Sequence, residues 1–228
     1  MSWLLVLVEG QTEETFFNLV LREHLEARGV SAKCTMICTS REEGRRQHRG
    51  GHAGRWEYVE KDIRQLLKSN PDAVTTMLDV YAFPKNMPGF PSPWPPTTIE
   101  RARALEEATT KAVNDPRFIP GLLVHEFEGL LFSVPEQIAE VAVVEEARRR
   151  SIAKKLRAIA DAFATPEDID DHPLRAPSKR IADVVPEYSK PRHGPIIAER
   201  VGLSTLRERC PLFSAWLARL EDLSAAVP

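Results

Sequence analysis

Acidic residues follow three apolar segments of this sequence, at points where strands are expected to end. The apolar segments are residues 4–8, 73–78 and 122–124. The acids that follow them are Glu9 with Glu13, Asp79, and Glu126 with Glu128. Converging carboxylates repel one another, and their burial is costly unless a cation neutralises them. Hard oxygen ligands select Mg²⁺ or Mn²⁺, and such ions promote displacement at phosphorus.

Each of these acids has a simpler interpretation when it is considered alone. An acidic residue after a strand commonly caps the next helix and interacts favourably with the positive end of its dipole. Three acidic groups at matching positions of an α/β pattern are harder to explain by capping. The pattern therefore favours one shared site over three independent caps.

The order of predicted elements is what would bring these acids together. Strands are predicted at residues 4–8, 34–39, 73–78 and 122–124, and helices at 12–28, 56–69 and 98–115. This alternation predicts an α/β fold with a mostly parallel sheet flanked by helices. Right-handed crossovers place the carboxyl ends of parallel strands on one edge, where open α/β sheets bind their ligands.

The second part of the chain reads as a helical C-terminal extension. Residues 135–164 and 199–225 have helical patterns, and residues 165–195 are rich in proline and are expected to be mostly loop. We predict an α/β core at 1–134 and an extension at 135–228 that packs on it as one compact unit.

Composition limits the classes of protein that the chain can represent. Its 228 residues suffice for one well-buried domain, and a formal net charge of -2 gives no overall nucleic-acid footprint. No run approaches 18 apolar residues, so no membrane association is expected. The three cysteines are too few for a disulfide framework and are expected to be reduced thiols in a cytoplasmic protein.

Residues 41–55 are the most basic part of the chain and contain four glycines. The loop offers arginines for gripping phosphates, since guanidinium groups bind them in a fork and glycine permits close approach. The candidate nucleic-acid-binding residues are Arg45, Arg46, Arg49 and Arg55. The alternative interpretation is a solvated, variable connection.

Basic residues also occur in the segment 165–195. A lysine that reaches the scissile phosphate stabilises developing negative charge, and Lys190 and Lys179 are the candidates. We assign a catalytic role to Lys190 and nucleic-acid binding to Lys179, with surface solvation as the alternative for both. His125, beside Glu126, is a metal ligand, a proton shuttle or a capped loop residue.

Four segments resemble, in order, the DUF4276 group of Toprim-related bacterial proteins. They are VEGQTEE, MLDVYAFP, HEFEGLLF and CPLFSAWLARLE, and the third is the most specific. The first also resembles the EGxxE opening of Toprim domains in the overcoming-lysogenization-defect nucleases. The resemblance extends over nearly the full chain.

The resemblance implies roles for individual residues. Toprim enzymes use the first glutamate as a general acid or base and the acids of a DxD motif for Mg²⁺. Glu9 matches the first role, with a contact to the metal, Asp79 the second, and Glu13 a further metal ligand. Tyr81 occupies the place of the second DxD aspartate, so Glu126 or Glu128 would have to replace it. A strand would direct these two glutamates to the same face, whereas a helix starting here would direct them to different faces, so that only one enters the site. Glu126 is favoured because it lies nearest the strand end.

The function implied is Mg²⁺- or Mn²⁺-dependent hydrolysis of phosphodiester bonds in DNA or RNA. By resemblance alone, the role is in bacterial anti-phage defence, with a possible protein partner from such a system. The alternative is a Toprim-shaped binding or regulatory module that has lost catalysis, which Tyr81 favours. A phosphatase acting on a small nucleotide is a third possibility, although the chain has no P-loop motif.

Overall fold

The parallel sheet is built from apolar strands that follow one another through helical connections. The computed structural model describes residues 1–38, 40–42, 45–47, 54–81, 83–169 and 175–226. Within them the strands are β1 (Ser2–Val8), β2 (Val30–Met36), β3 (Ser40–Glu42), β4 (Arg45–Gln47), β5 (Ala73–Asp79), β6 (Phe118–Ile119) and β7 (Leu122–Leu123). The order of the main sheet is β2-β1-β5-β6, and β7 also pairs with β5. A separate antiparallel pair joins β3 and β4.

The strands of the main sheet are parallel at each pairing among the described residues. In the register, Val8 lies opposite both Met36 and Met77, and Asp79 lies opposite Leu123. The carboxyl ends of β1, β2, β5 and β7 therefore lie along one edge of the sheet. The prediction of a parallel α/β sheet flanked by helices is confirmed.

Helices cover both faces of the sheet and account for most of the second half of the chain. They are α1 (Gln11–Phe16), α2 (Arg22–Glu26), α3 (Trp56–Leu67), α4 (Thr98–Val113), α5 (Glu128–Leu131), α6 (Pro135–Ala142), α7 (Glu146–Ala160), α8 (Pro177–Val184), α9 (Lys190–Val201), α10 (Leu203–Arg209) and α11 (Pro211–Glu221). A π-helical segment, Phe17–Leu21, joins α1 to α2. Over the ranges described, no helix is long and apolar enough to cross a membrane.

Alternate residues of β1 enter two different hydrophobic cores, because successive side chains of a strand lie on opposite faces. Leu4, Val6 and Val8 pack with α1, α2 and helices from the C-terminal half of the chain. Leu5 and Leu7 pack with α3 and α4 on the other face. Both faces of the strand are therefore buried, which explains its continuous apolar sequence.

Two element boundaries differ from those predicted by the sequence. The second strand begins at Val30 rather than Cys34, because Gly29 has a φ of 81° and turns the chain directly from the preceding helix into the sheet. The segment predicted to be mostly loop at 165–195 contains α8 and the first residues of α9. Prolines are tolerated near the start of both helices, because the backbone N–H groups of a first helical turn have no carbonyl partner within the helix.

Candidate active site

Glu9 joins the ends of two neighbouring strands. It directly follows β1, and its backbone N–H donates to the carbonyl of Met77 in β5 at 3.3 Å. Its Oε2 accepts a hydrogen bond from the backbone N–H of Asp79 at 3.2 Å. The structure therefore brings Glu9 and Asp79, which are 70 residues apart in the sequence, to the same edge of the sheet.

Asp79 extends this connection to the segment that follows β7. Its Oδ1 accepts from the backbone N–H of Phe127 at 3.1 Å, and the neighbouring Val80 donates to the carbonyl of Leu123 at 2.9 Å. Burial raises the pKa of Asp79 well above its ordinary 3.8, and the charges of Glu9, Glu13 and Glu128 raise it further. The ionised form of Asp79 is thus disfavoured by several other carboxylates.

Glu126 and Glu128 both contact the ammonium group of Lys190. Lys190 Nζ lies 3.2 Å from Glu126 Oε1 and 3.0 Å from Glu128 Oε2. The other oxygen of Glu126 accepts from the backbone N–H of Ser178, at the start of α8, at 2.9 Å. We expected the start of a helix to separate the two glutamates, but the structure brings both to the same lysine.

Lys190 is the first residue of α9 and carries positive charge into this group. Burial acts to lower its pKa, but the charges of Glu128, Glu126 and Asp79 outweigh burial, so the pKa of Lys190 is raised. Its side chain remains 42% exposed, although its ammonium group pairs with two buried carboxylates.

We call the five carboxylates of this edge the acidic cluster: Glu9, Glu13, Asp79, Glu126 and Glu128. Burial raises the pKa of Glu128, which is fully buried, to about 7, although Lys190 opposes the shift. Burial is also the largest cause of the raised pKa values of Glu9 and Glu13. Ionisation of all five carboxyl groups is therefore costly, since it would give more negative charge than the single ammonium of Lys190 can neutralise.

Glu13 has a structural partner within its own turn. Its Oε2 accepts from the backbone N–H of Gly10 at 2.9 Å, as the third residue of a capping box does. The charge of Glu9 raises the pKa of Glu13, which places the two carboxylates close to each other. Glu13 therefore caps α1 and contributes charge to the acidic cluster.

The sequence did not single out Tyr188 as a site residue. Its hydroxyl donates to Glu128 Oε1 at 3.3 Å, and burial together with Glu128 raises its pKa. A Cβ added at Gly194 would lie 3.3 Å from the same hydroxyl and 3.2 Å from Phe127, so α9 packs very closely here. The position of Tyr188, two residues before Lys190, is the signal that could have found it.

His125 and Tyr81 are neighbours of the acidic cluster in the chain and contact each other through their backbones. His125 is buried, has a φ of 63°, and its Nε2 lies 3.3 Å from Thr98 Oγ1. Its carbonyl accepts from the backbone N–H of Tyr81 at 3.0 Å. The Tyr81 side chain is exposed and supplies no carboxylate where the DxD pattern would have one.

The predicted nucleic-acid-binding residues occupy two regions. Arg45 and Arg46 belong to β4, and Arg49 lies outside the described residues. Arg55 precedes α3 and its guanidinium lies 5.3 Å from the ring centre of Tyr58. Lys179 is exposed on α8, next to Ser178, which binds Glu126, so it borders the acidic cluster.

The donor chemistry of the acidic cluster suits a hard divalent cation, because each member offers carboxylate oxygens. Burial and mutual repulsion also disfavour the ionised carboxylates, and a cation would relieve this cost. Among the residues described, no three His, Cys, Asp or Glu side chains are already arranged to hold a metal ion. Binding would therefore require the carboxylates to draw closer together.

The fold and this site define an α/β protein with an acidic cluster at the carboxyl edge of a parallel sheet. The chain belongs to the DUF4276 family, a domain of unknown function, whose model matches residues 8–221. No curated protein matches the chain.

Two solved structures have a similar overall arrangement. One is the C-terminal region of the Burkholderia pseudomallei OLD protein, with 15% identity, a TM-score of 0.47, and coverage of 98% of this chain and 99% of that chain. The other is the C-terminal region of the Xanthomonas campestris pv. campestris OLD protein, with 16% identity, a TM-score of 0.48, and coverage of 98% and 94%.

Proposed function

We propose that this protein is a divalent-metal-dependent nuclease that hydrolyses phosphodiester bonds in DNA or RNA. The observation that carries the proposal is the chain of backbone contacts at the sheet edge. The N–H of Asp79 binds Glu9, and the N–H of Phe127 binds Asp79, at 3.2 and 3.1 Å. These contacts bring carboxylates from three chain segments to the sheet edge near Lys190, an arrangement that supports metal-assisted phosphoryl transfer.

Glu9 and Asp79 would hold Mg²⁺ or Mn²⁺, with Glu13 and either Glu126 or Glu128 as further ligands. When bound, such an ion polarises phosphoryl oxygens and stabilises the leaving oxygen. The excess of carboxylates over cations supports this assignment, since the ion would supply the missing positive charge. One of the two later glutamates would replace the acid absent at Tyr81.

Two residues of the chain would act on the scissile phosphate and its nucleophile. Lys190, whose side chain is partly exposed, would stabilise the negative charge that develops on the phosphoryl oxygens. Glu9 would serve as the general acid or base, with a contact to the metal ion that keeps its carboxylate ionised.

Nucleic acid would approach along the basic residues that border this edge. Lys179 on α8 is adjacent to the acidic cluster, and the arginines Arg45, Arg46, Arg49 and Arg55 would bind phosphates further along the strand. A role in bacterial anti-phage defence, with a protein partner from that system, is part of the proposal and comes from the family resemblance alone.

The test is a cleavage panel of single-stranded and duplex DNA and RNA with Mg²⁺ or Mn²⁺. Glu9→Gln and Asp79→Asn should each lose at least about 100-fold in rate, since each removes a carboxylate from the site. Glu146→Gln, at an exposed position on α7, is the matched control and should cleave like the wild type. Undiminished cleavage by both site variants would refute the assignment.

A second candidate is a binding or regulatory module of the same shape without catalysis. Tyr81 in place of an acid favours it, as does the pairing of Lys190 with two of the carboxylates. Calorimetric titration with Mn²⁺ separates the candidates. The nuclease should bind the ion more tightly than its Glu9→Gln variant, whereas a degenerate site should show no difference.

A further inference from the structure

An aromatic cavity begins one residue after Asp79. It has a volume of about 540 Å³, within the range of about 300–1,000 Å³ typical of ligand sites. The lining residues are Val80, Tyr81, Phe83, Lys85, Phe90, Pro91, Ser92 and Trp94. We refer to it as the aromatic cavity. The mechanism proposed above uses none of these side chains.

The floor and walls of the aromatic cavity are held by packing and hydrogen bonds. Val80 and Phe83 form its floor and belong to the hydrophobic core beneath. In the wall, the rings of Phe90 and Trp94 stack at 5.2 Å with an angle of 2° between their planes. The guanidinium of Arg101 lies 5.7 Å from the ring centre of Trp94. The cavity is therefore preformed, which lowers the entropic cost of binding a ligand.

The loop that carries these rings is anchored to the rest of the chain. Three successive turns close through hydrogen bonds from Phe83 to Val80, from Met87 to Pro84 and from Phe90 to Met87. Met87 is buried and accepts from the hydroxyl of Thr109 in α4. These contacts explain how a loop rich in proline keeps its aromatic side chains in a fixed arrangement.

Three properties of the cavity fit an unpaired nucleobase. Aromatic rings stack on the flat face of any base, and Tyr81 is 38% exposed at the cavity. Trp94, which is 36% exposed and stacks on Phe90, would contact the base with its remaining surface. Lys85 is exposed at the rim and offers positive charge to a phosphate. Tyr81 follows Asp79 by two residues, so their Cα atoms lie no more than about 7 Å apart.

We propose that the aromatic cavity is a subsite for an unpaired base of a nucleic-acid strand whose phosphate lies at the acidic cluster. This inference rests on the proposed nuclease function and adds a preference for unpaired nucleotides. A duplex keeps its bases stacked on one another, so the cavity would engage single strands, overhangs or flipped bases. In this role Tyr81, which occupies the place of the second DxD aspartate, binds a base rather than a metal ion.

The test measures binding without cleavage. The full chain is titrated with a fluorescent oligothymidylate and with an abasic strand of the same length, and anisotropy is recorded. Ca²⁺ replaces Mg²⁺, because oxygen ligands bind it without the strict octahedral geometry of Mg²⁺, and a gel checks that the strands stay intact. The abasic strand should bind on the order of 5- to 100-fold more weakly, because base stacking on the aromatic cavity is lost. Equal affinities for the two strands, or no binding of either, would overturn the proposal.

Variants assign the effect to the aromatic cavity. Tyr81→Ala and Trp94→Ala should weaken oligothymidylate binding while leaving abasic-strand binding unchanged, and Tyr81→Phe should keep the wild-type preference. Trp3→Ala removes a similarly exposed ring at the opposite end of β1 and should have no effect. If both alanine variants keep full base discrimination, the subsite is not at the aromatic cavity.

The outcome is separable from that of the nuclease assignment. Base-dependent binding by a protein that cleaves no substrate would support the subsite while the nuclease assignment fails. Cleavage that depends on Glu9, together with equal binding of thymidylate and abasic strands, would support the nuclease assignment while the subsite proposal fails.

Discussion

Lys190 brings opposite charge into a group of residues that would otherwise repel one another. Its Nζ lies within 3.2 Å of carboxylates from Glu126 and Glu128. Burial raises the pKa values of Glu9 and Glu13, and the charge of Lys190 partly opposes that rise. A single ammonium cannot neutralise five carboxylates. At the scale of residues, the site is therefore only partly neutralised, and the metal ion proposed above would supply further positive charge.

The Glu13 carboxylate can serve two purposes, capping of α1 and binding of a metal ion, and substitutions of Glu13 can distinguish them. Glu13→Gln keeps an oxygen that can accept from the N–H of Gly10 but removes the charge. We expect this variant to retain its stability and to bind Mn²⁺ more weakly. Glu13→Ala removes the cap as well and should lose about 0.5–2 kcal/mol of unfolding free energy.

Urea denaturation and calorimetry measure the two effects on Glu13 independently. Glu14→Gln, at the next position of α1, is the control for charge near the helix start. Unchanged Mn²⁺ affinity in both Glu13 variants would restrict this residue to its capping role.

At the scale of elements, strands with both faces buried are the part of the fold that the sequence predicts well. The strands that end at Glu9 and Asp79 can be predicted because their mostly apolar segments stop at a charged residue, although the one before Asp79 contains the buried Thr75 and Thr76. The second strand is harder to place, since its exposed Lys33 and partly exposed Cys34 interrupt the apolar pattern. Its start depends on the backbone conformation at Gly29, which sequence periodicity does not reveal.

The helical segments rich in proline are the part that the sequence predicts poorly. Proline ordinarily ends a helix, but Pro177 and Pro191 lie in the first turns of α8 and α9, and Pro195 is accommodated inside α9. These two helices supply the N–H of Ser178 and the ammonium of Lys190. Lys190 was predicted from its chemistry, but its pairing with both glutamates depends on contacts between distant elements.

Glu167 fixes the start of α11 to the three-residue turn Pro166–Asp168. Its two carboxylate oxygens accept from the backbone N–H groups of Leu212 and Phe213, each at 2.8 Å. Burial raises the pKa of Glu167 from its ordinary 4.5 to about 7, while these two hydrogen bonds oppose the shift. The folded state therefore binds the proton more tightly than the unfolded state.

The consequence is a pH-dependent contribution to stability. Between about pH 5 and pH 7 the unfolded chain has released this proton and the folded chain retains it, so unfolding free energy should fall as pH rises. The contribution should amount to at most about 3 kcal/mol by pH 8. Glu167→Gln does not titrate, so urea denaturation of this variant should lack that decline.

The change in unfolding free energy between pH 5 and pH 8 is compared for the wild type and the variant. The titration of the acidic cluster contributes equally to both proteins and cancels in this comparison. Parallel profiles for the two proteins would show that Glu167 has the same pKa in the folded and unfolded states.

At the scale of the whole molecule, the predicted core and extension share one hydrophobic interior. The Phe16 ring lies 6.2 Å from that of Phe213 in α11, and both belong to the same buried cluster. Trp216 Nε1 donates to the buried Thr75 hydroxyl of β5 at 2.9 Å. A Cβ at Gly121 would lie 2.2 Å from that indole nitrogen, so only glycine permits this close approach.

This shared interior leads to a prediction about the fragment 1–134. Without α6–α11, the core on the face of Leu4, Val6 and Val8 would lose much of its cover, and the fragment should lack a cooperative urea transition. The full chain should unfold in one transition, observed alike by circular dichroism and tryptophan fluorescence. Trp216→Ala should shift that entire transition by about 3–5 kcal/mol, because it leaves a cavity between β5 and α11. A separate C-terminal transition, or cooperative unfolding of the fragment, would instead establish two independent domains.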